Sequence, residues 1–65
     1  MLSKTEMEII DIFKARGISR DDMLGFTSVL DIKKAHEEML KWLKANPNAK
    51  YDEILEKITE IYEQD

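Results

Sequence analysis

His36 is the single histidine of this 65-residue chain, and it opens the segment His36-Glu37-Glu38-Met39-Leu40. A zinc-protease helix needs its second histidine four residues after the first, so that both imidazoles share one face; Leu40 stands there instead. Nucleophilic catalysis needs Ser, Thr, Cys or Lys beside a base that a third group orients. Ser3, Ser19 and Ser28 are instead read as serving helix starts. There is no cysteine, so neither a thiolate metal site nor a disulfide can form. The two glycines, Gly17 and Gly25, lie too far apart for a phosphate-cradling loop. The expectation is a protein that is not an enzyme, with no catalytic residue, no cofactor, no metal and no small-molecule substrate.

The acidic residues are the other candidates for chemistry. Asp21-Asp22 and Asp52-Glu53 fall where first helical turns are expected, and there carboxylates complement the positive end of the helix dipole. Glu56, Glu60 and Glu63 are different. Glu56 and Glu60 repel at i,i+4, and acids in a last turn oppose the dipole. That face is expected to serve a basic partner or solubility rather than the helix. His36 falls inside an apolar arc between Ile32 and Leu40, and is read as a boundary residue that buries its ring and hydrogen-bonds at its edge.

Four helices must carry these groups, over about 4–16, 20–29, 32–45 and 51–63. Ser3 with Glu6 fits a capping box for the first, and Gly17 suits the left-handed residue that ends it. Ser19 with Asp22 restates the start signal. FKARGISRDDML, residues 13–24, is therefore one helix stopping and another starting. Helix 2 is expected to be irregular, since its apolar residues surround it and Gly25 interrupts it. Either it turns near Phe26 or it is central and wrapped by the others. Asp31 is read as the cap of helix 3, whose apolar face would hold Ile32, Ala35, Met39, Leu40, Trp42 and Leu43. Asn46-Pro47-Asn48 closes that helix, because the residue before proline disfavours helical geometry. In helix 4, Tyr51, Ile54, Leu55, Ile58, Ile61 and Tyr62 make a stripe of roughly 120°. In helix 1, Met7, Ile9, Ile10, Ile12 and Phe13 spread over about 220°, more than one packed face requires. FKAR before DDML is echoed by LKAN before DEIL some thirty residues later, which suggests a duplicated unit or shared helix-boundary chemistry.

The chain is expected to form a single helical domain, all-α, a small bundle of four short helices. No apolar run reaches the ~18 residues of a membrane span, and the amino terminus lacks the form of a secretory signal, so a cytoplasmic protein is expected. The net charge of -4 is uneven: residues 1–30 carry -1, residues 31–50 carry +2 and residues 51–65 carry -5. Phosphate binding needs clustered Lys and Arg, which argues against general affinity for nucleic acid.

Two resemblances attach to the first corner. IIDIFKARGISRDDML resembles the entry of a helix-turn-helix, which implies a second helix whose early residues, here Arg20, Asp21 and Asp22, meet DNA. Residues 9–43 resemble the ubiquitin-associated, three-helix type of binding domain. Gly17 in the first loop, Ser19 and Arg20 after it, and Trp42-Leu43 late in helix 3 carry that likeness. Where that family has Met-Gly-Phe or Met-Gly-Tyr, this chain has Arg16-Gly17-Ile18. The resemblance implies a protein-binding role.

Twenty-four large apolar or aromatic residues are many for so small an interior. Some are expected to stay exposed and to serve association, with Trp and Tyr as natural anchors. The function expected is a small protein-interaction or regulatory module, with another protein or a second copy (a homodimer) as partner. Its contact surface would use Met7 and Ile12 of helix 1 and Phe26 and Val29 of the second corner, with Glu56, Glu60 and Glu63 as an acidic rim. Two alternatives stand beside it: an acidic inhibitor that occupies a basic or nucleic-acid-binding surface of a partner, and a helix-turn-helix-like DNA-binding regulator.

Overall fold

Ser3 sets the first boundary. Its Oγ accepts from the Glu6 backbone N–H at 3.2 Å, and α1 runs from Lys4–Ala15. In this computed structural model, which describes residues 3–64, three more helices follow: α2 (Arg20–Lys33), α3 (His36–Ala45) and α4 (Tyr51–Glu63). No strand occurs among the described residues. Ser19 caps α2 as expected, accepting from the Asp22 N–H at 3.2 Å while its hydroxyl donates to the Asp22 carboxylate at 2.9 Å.

Gly17 ends α1 in the left-handed conformation, with φ of +79°. The Ile18 N–H then reaches back to the Phe13 carbonyl at 3.0 Å, and the Ile18 side chain turns into the core. This is the Schellman closure that satisfies the last carbonyls of a helix. The same closure recurs at the end of α2, where the Ala35 N–H donates to the Leu30 carbonyl at 3.0 Å. The left-handed residue there is Lys34, with φ of 53° and ψ of 43°.

The joint between α2 and α3 therefore differs from the sequence expectation. α2 passes through Gly25 without a break and continues to Lys33, so no turn forms near Phe26. Asp31 lies inside α2 and does not cap α3; Ala35 takes that position, with no side-chain cap. Ile32 belongs to α2 rather than to the apolar face of α3, and is 74% exposed. Ser28 sits on the exposed side of α2 and caps nothing. The physical reason is that a left-handed lysine ends α2 four residues later than a cap-and-glycine code can show.

One core holds the four helices. Ile9 and Phe13 of α1, Phe26 and Leu30 of α2, Met39 and Leu43 of α3, and Ile54, Ile58 and Ile61 of α4 are all buried in it. The Phe13 and Phe26 rings meet edge to face, with centroids 5.6 Å apart, a favoured aromatic geometry. α1 packs mainly on α3 and α2 mainly on α4, while no Cα of α3 comes within 8 Å of one on α4. Phe26 lies beside Tyr51 and Lys33 bonds the Gln64 carbonyl, so α2 and α4 point the same way. The Cα radius of gyration, 10.6 Å, matches the ~11 Å of a folded 65-residue domain. No described helix is long and apolar enough to cross a membrane.

Candidate interaction surface

Met7, Ile12, Phe26 and Val29 do not form one surface. Phe26 is only 6% exposed and belongs to the core, where its ring also packs on Tyr51 at 6.3 Å. Ile12 and Val29 are half-buried against that core. Met7 is 54% exposed, but it stands about 140° around α1 from Ile12. The wide apolar arc of α1 thus has its middle, Ile9 and Phe13, in the core and its two edges on opposite rims.

The exposed apolar residues gather elsewhere. On α4, Tyr51, Leu55 and Tyr62 fall within about 40° of one another around the helix axis. The buried Ile54, Ile58 and Ile61 occupy the adjoining ~60°. The apolar arc of α4 is therefore split lengthwise: one half faces the core, and the other remains in solvent at 37%, 40% and 62% exposure for Tyr51, Leu55 and Tyr62. Beyond the exposed half come Asp52, Glu63 and Glu56, with Glu60 farther round, at roughly 100–180° on the same wheel. Of the predicted acidic rim, Glu56 and Glu63 thus stand together on the flank of that stripe, while Glu60 lies on the far side of the helix beside Lys57. Glu56, Thr59, Glu60, Glu63 and Gln64 line a shallow depression along it. Lys57 is the one basic side chain of α4; its Nζ lies 3.5 Å from Glu60 and 3.7 Å from Glu38 of α3.

A second apolar feature lies between α1 and α2. Ile10, Ile18, Met23 and Leu24 line an open groove with Lys14 and Arg20 on its rim. Leu24 is 58% exposed. The cations of this rim and the carboxylates of α4 give the molecule two apolar surfaces of opposite charge.

Arg16 of the first corner has a role the sequence did not indicate. Its guanidinium donates to the backbone carbonyls of Leu43 at 2.9 Å, Asn46 at 2.9 Å and Ala49 at 3.1 Å. It thus closes the carboxyl end of α3 and the loop that follows, where the helix dipole favours a cation. The Asn46 side-chain amide helps by donating to the Trp42 carbonyl at 2.8 Å. With Arg16 engaged inside the molecule, Arg20 is the basic residue left at the corner, next to Asp21 and Asp22.

Comparison with protein-family models, with curated proteins and with solved structures found no match to this chain.

Proposed function

We propose that this chain is a non-enzymatic protein-interaction module that pairs with a second copy of itself. In this pairing the solvent half of the α4 apolar arc, with its acidic rim, lies against the groove between α1 and α2 of the other copy. The observation that supports it is the lengthwise split of the α4 arc. A 13-residue helix whose apolar side chains exceed what its own core covers leaves Tyr51, Leu55 and Tyr62 to be desolvated by a partner. Each buried apolar side chain of that size contributes about 1.5–3 kcal/mol of driving force. The α1/α2 groove offers the complement, apolar residues to apolar residues and Lys14 and Arg20 to Glu56 and Glu63. Exchange of the two surfaces in both directions closes a two-fold dimer.

Light scattering across a hundredfold range of concentration tests this reading. The expected result is a dimer that dissociates on dilution and more readily in high salt, since the rim pairs are exposed and screened. Leu55→Glu is expected to give a monomer of unchanged helicity, because Leu55 lies outside the core. A monomer at every concentration overturns self-pairing. The carboxylates of α4, with Lys57 as their one cation on that helix, favour a second reading, an acidic inhibitor of a basic surface. A monomer that binds a basic protein with salt-sensitive affinity would support that one.

A further inference from the structure

Glu6, Asp31 and His36 come from three different helices and meet at one point. We infer that they form a binding site for a single divalent transition-metal ion of the zinc class. His36 Nε2 lies 3.1 Å from Asp31 Oδ1 and 3.9 Å from Glu6 Oε1, and the three donor atoms all fall within 4.8 Å of one another. Donors held at 2.0–2.2 Å around one ion stand roughly 3.0–3.5 Å apart. Closing the present triangle onto an ion therefore takes under about an ångström of movement per side chain. Asp31, whose side chain is 60% exposed, is free to supply most of it.

A second observation separates this cluster from a chance meeting of charges. Nε2 of His36 is buried and lies against both carboxylates without an aligned hydrogen bond to either, an arrangement an ion between them would satisfy. Among the described residues no Lys or Arg pairs with Glu6 or Asp31, so two carboxylates converge on an imidazole with no fixed cation to balance them. One imidazole nitrogen and two carboxylate oxygens form a borderline-hard donor set that suits Zn²⁺, Co²⁺ or Ni²⁺; with no sulfur present, soft ions are disfavoured.

The fold aims the donors deliberately. Glu6 stands in the first turn of α1 with its N–H held by Ser3, but its carboxylate does not return to cap that turn, leaving it for His36. Asp31 lies in the last turn of α2, and His36 begins α3. The left-handed backbone at Lys34 is what folds the second back over the first. An ion there would tie α1, α2 and α3 together, and such binding stabilises the folded state by mass action.

The test is titration of chelator-treated protein with Zn²⁺ and, in parallel, with Co²⁺, whose visible absorption reports its coordination. The expected result is saturable binding of one ion per chain, new Co²⁺ absorption bands, and a rise in Tm of roughly 10 °C or more at a hundredfold excess over Kd. His36→Gln and Asp31→Asn are each expected to weaken binding at least tenfold, while Asp52→Asn on α4 leaves it unchanged. In wild-type protein, Zn²⁺ should move the NMR signals around Glu6, Asp31 and His36 first; this readout does not depend on any variant folding. Binding without saturation, binding that survives His36→Gln in a folded variant, or signals that move only along α4 would overturn the assignment.

Discussion

Arg16 shows how one side chain can hold a corner whose neighbours suggest another use. Three carbonyl acceptors converge on its guanidinium, all of them contributed by residues 43–49. Hydrogen bonds to a charged donor contribute about 1.5–3 kcal/mol each, and leaving part-buried acceptors unpaired adds to the loss. Arg16→Ala is expected to cost about 3 kcal/mol, a large share of the roughly 3–10 kcal/mol typical of a domain this size. Arg16→Lys should recover only part of it, because a single ammonium cannot span the three acceptors as a planar fork does. Urea unfolding of the three proteins measures both differences, and equal stability of Arg16→Ala and wild type would contradict the clamp. Nothing in the sequence pointed to this role, since the acceptors are backbone groups 27–33 residues away. Glu6, Asp31 and His36 were illegible for the same reason. No spacing motif links residues that only the fold brings together, whereas Glu56, Glu60 and Glu63 were legible because one helix places them at fixed angles.

At the scale of the elements, boundaries written in local side-chain chemistry were readable, and the one written in backbone strain was not. Ser3, Gly17, Ser19 and Pro47 mark their helix ends through caps, a left-handed glycine and the restriction proline puts on the residue before it, all of which act within four residues. The α2–α3 joint, Lys33-Lys34-Ala35-His36, has none of these. Lys34 there does the work that Gly17 does at the end of α1, with the same backward hydrogen bond spanning five residues at 3.0 Å. The two positions are thus expected to respond in opposite directions. Gly17→Ala forces a side chain onto left-handed backbone and should cost about 1–2 kcal/mol. Lys34→Gly relieves that strain, partly offset by the greater freedom of glycine in the unfolded chain, and should stabilise by up to about 1 kcal/mol. Thermal melts of the two variants beside wild type decide it. A destabilised Lys34→Gly would mean that the lysine side chain contributes contacts outweighing its strain.

The whole molecule divides into two helix–corner–helix halves, and several buried positions correspond between them while others, such as Phe26 against Lys57, do not. Ile9 and Met39, and Phe13 and Leu43, are buried pairs thirty residues apart; Ile18 and Ala49, and Leu30 and Ile61, are buried pairs thirty-one apart. The sequence echo of FKAR…DDML in LKAN…DEIL falls at the same offsets around the two corners, and the shift from thirty to thirty-one reflects the longer second corner, 46–50 against 16–19. What holds the halves is packing between them, α1 on α3 and α2 on α4, together with Arg16 of one corner bonded to the other. Within the second half, α3 and α4 make no close backbone approach. Each half therefore buries most of its apolar residues against the other, although Phe13 meets Phe26 within the first half. Isolated helices of 10–14 residues are marginal in water, so a separated half has little reason to stay helical. Peptides spanning residues 1–34 and 35–65 are each expected to show weak helical circular dichroism alone. Mixed one to one at sufficient concentration, they should regain most of the signal of the intact chain, with a cooperative melt whose midpoint rises with concentration. A 35–65 peptide that is helical and melts cooperatively by itself would place the stabilising contacts within that half, contrary to the packing of this fold.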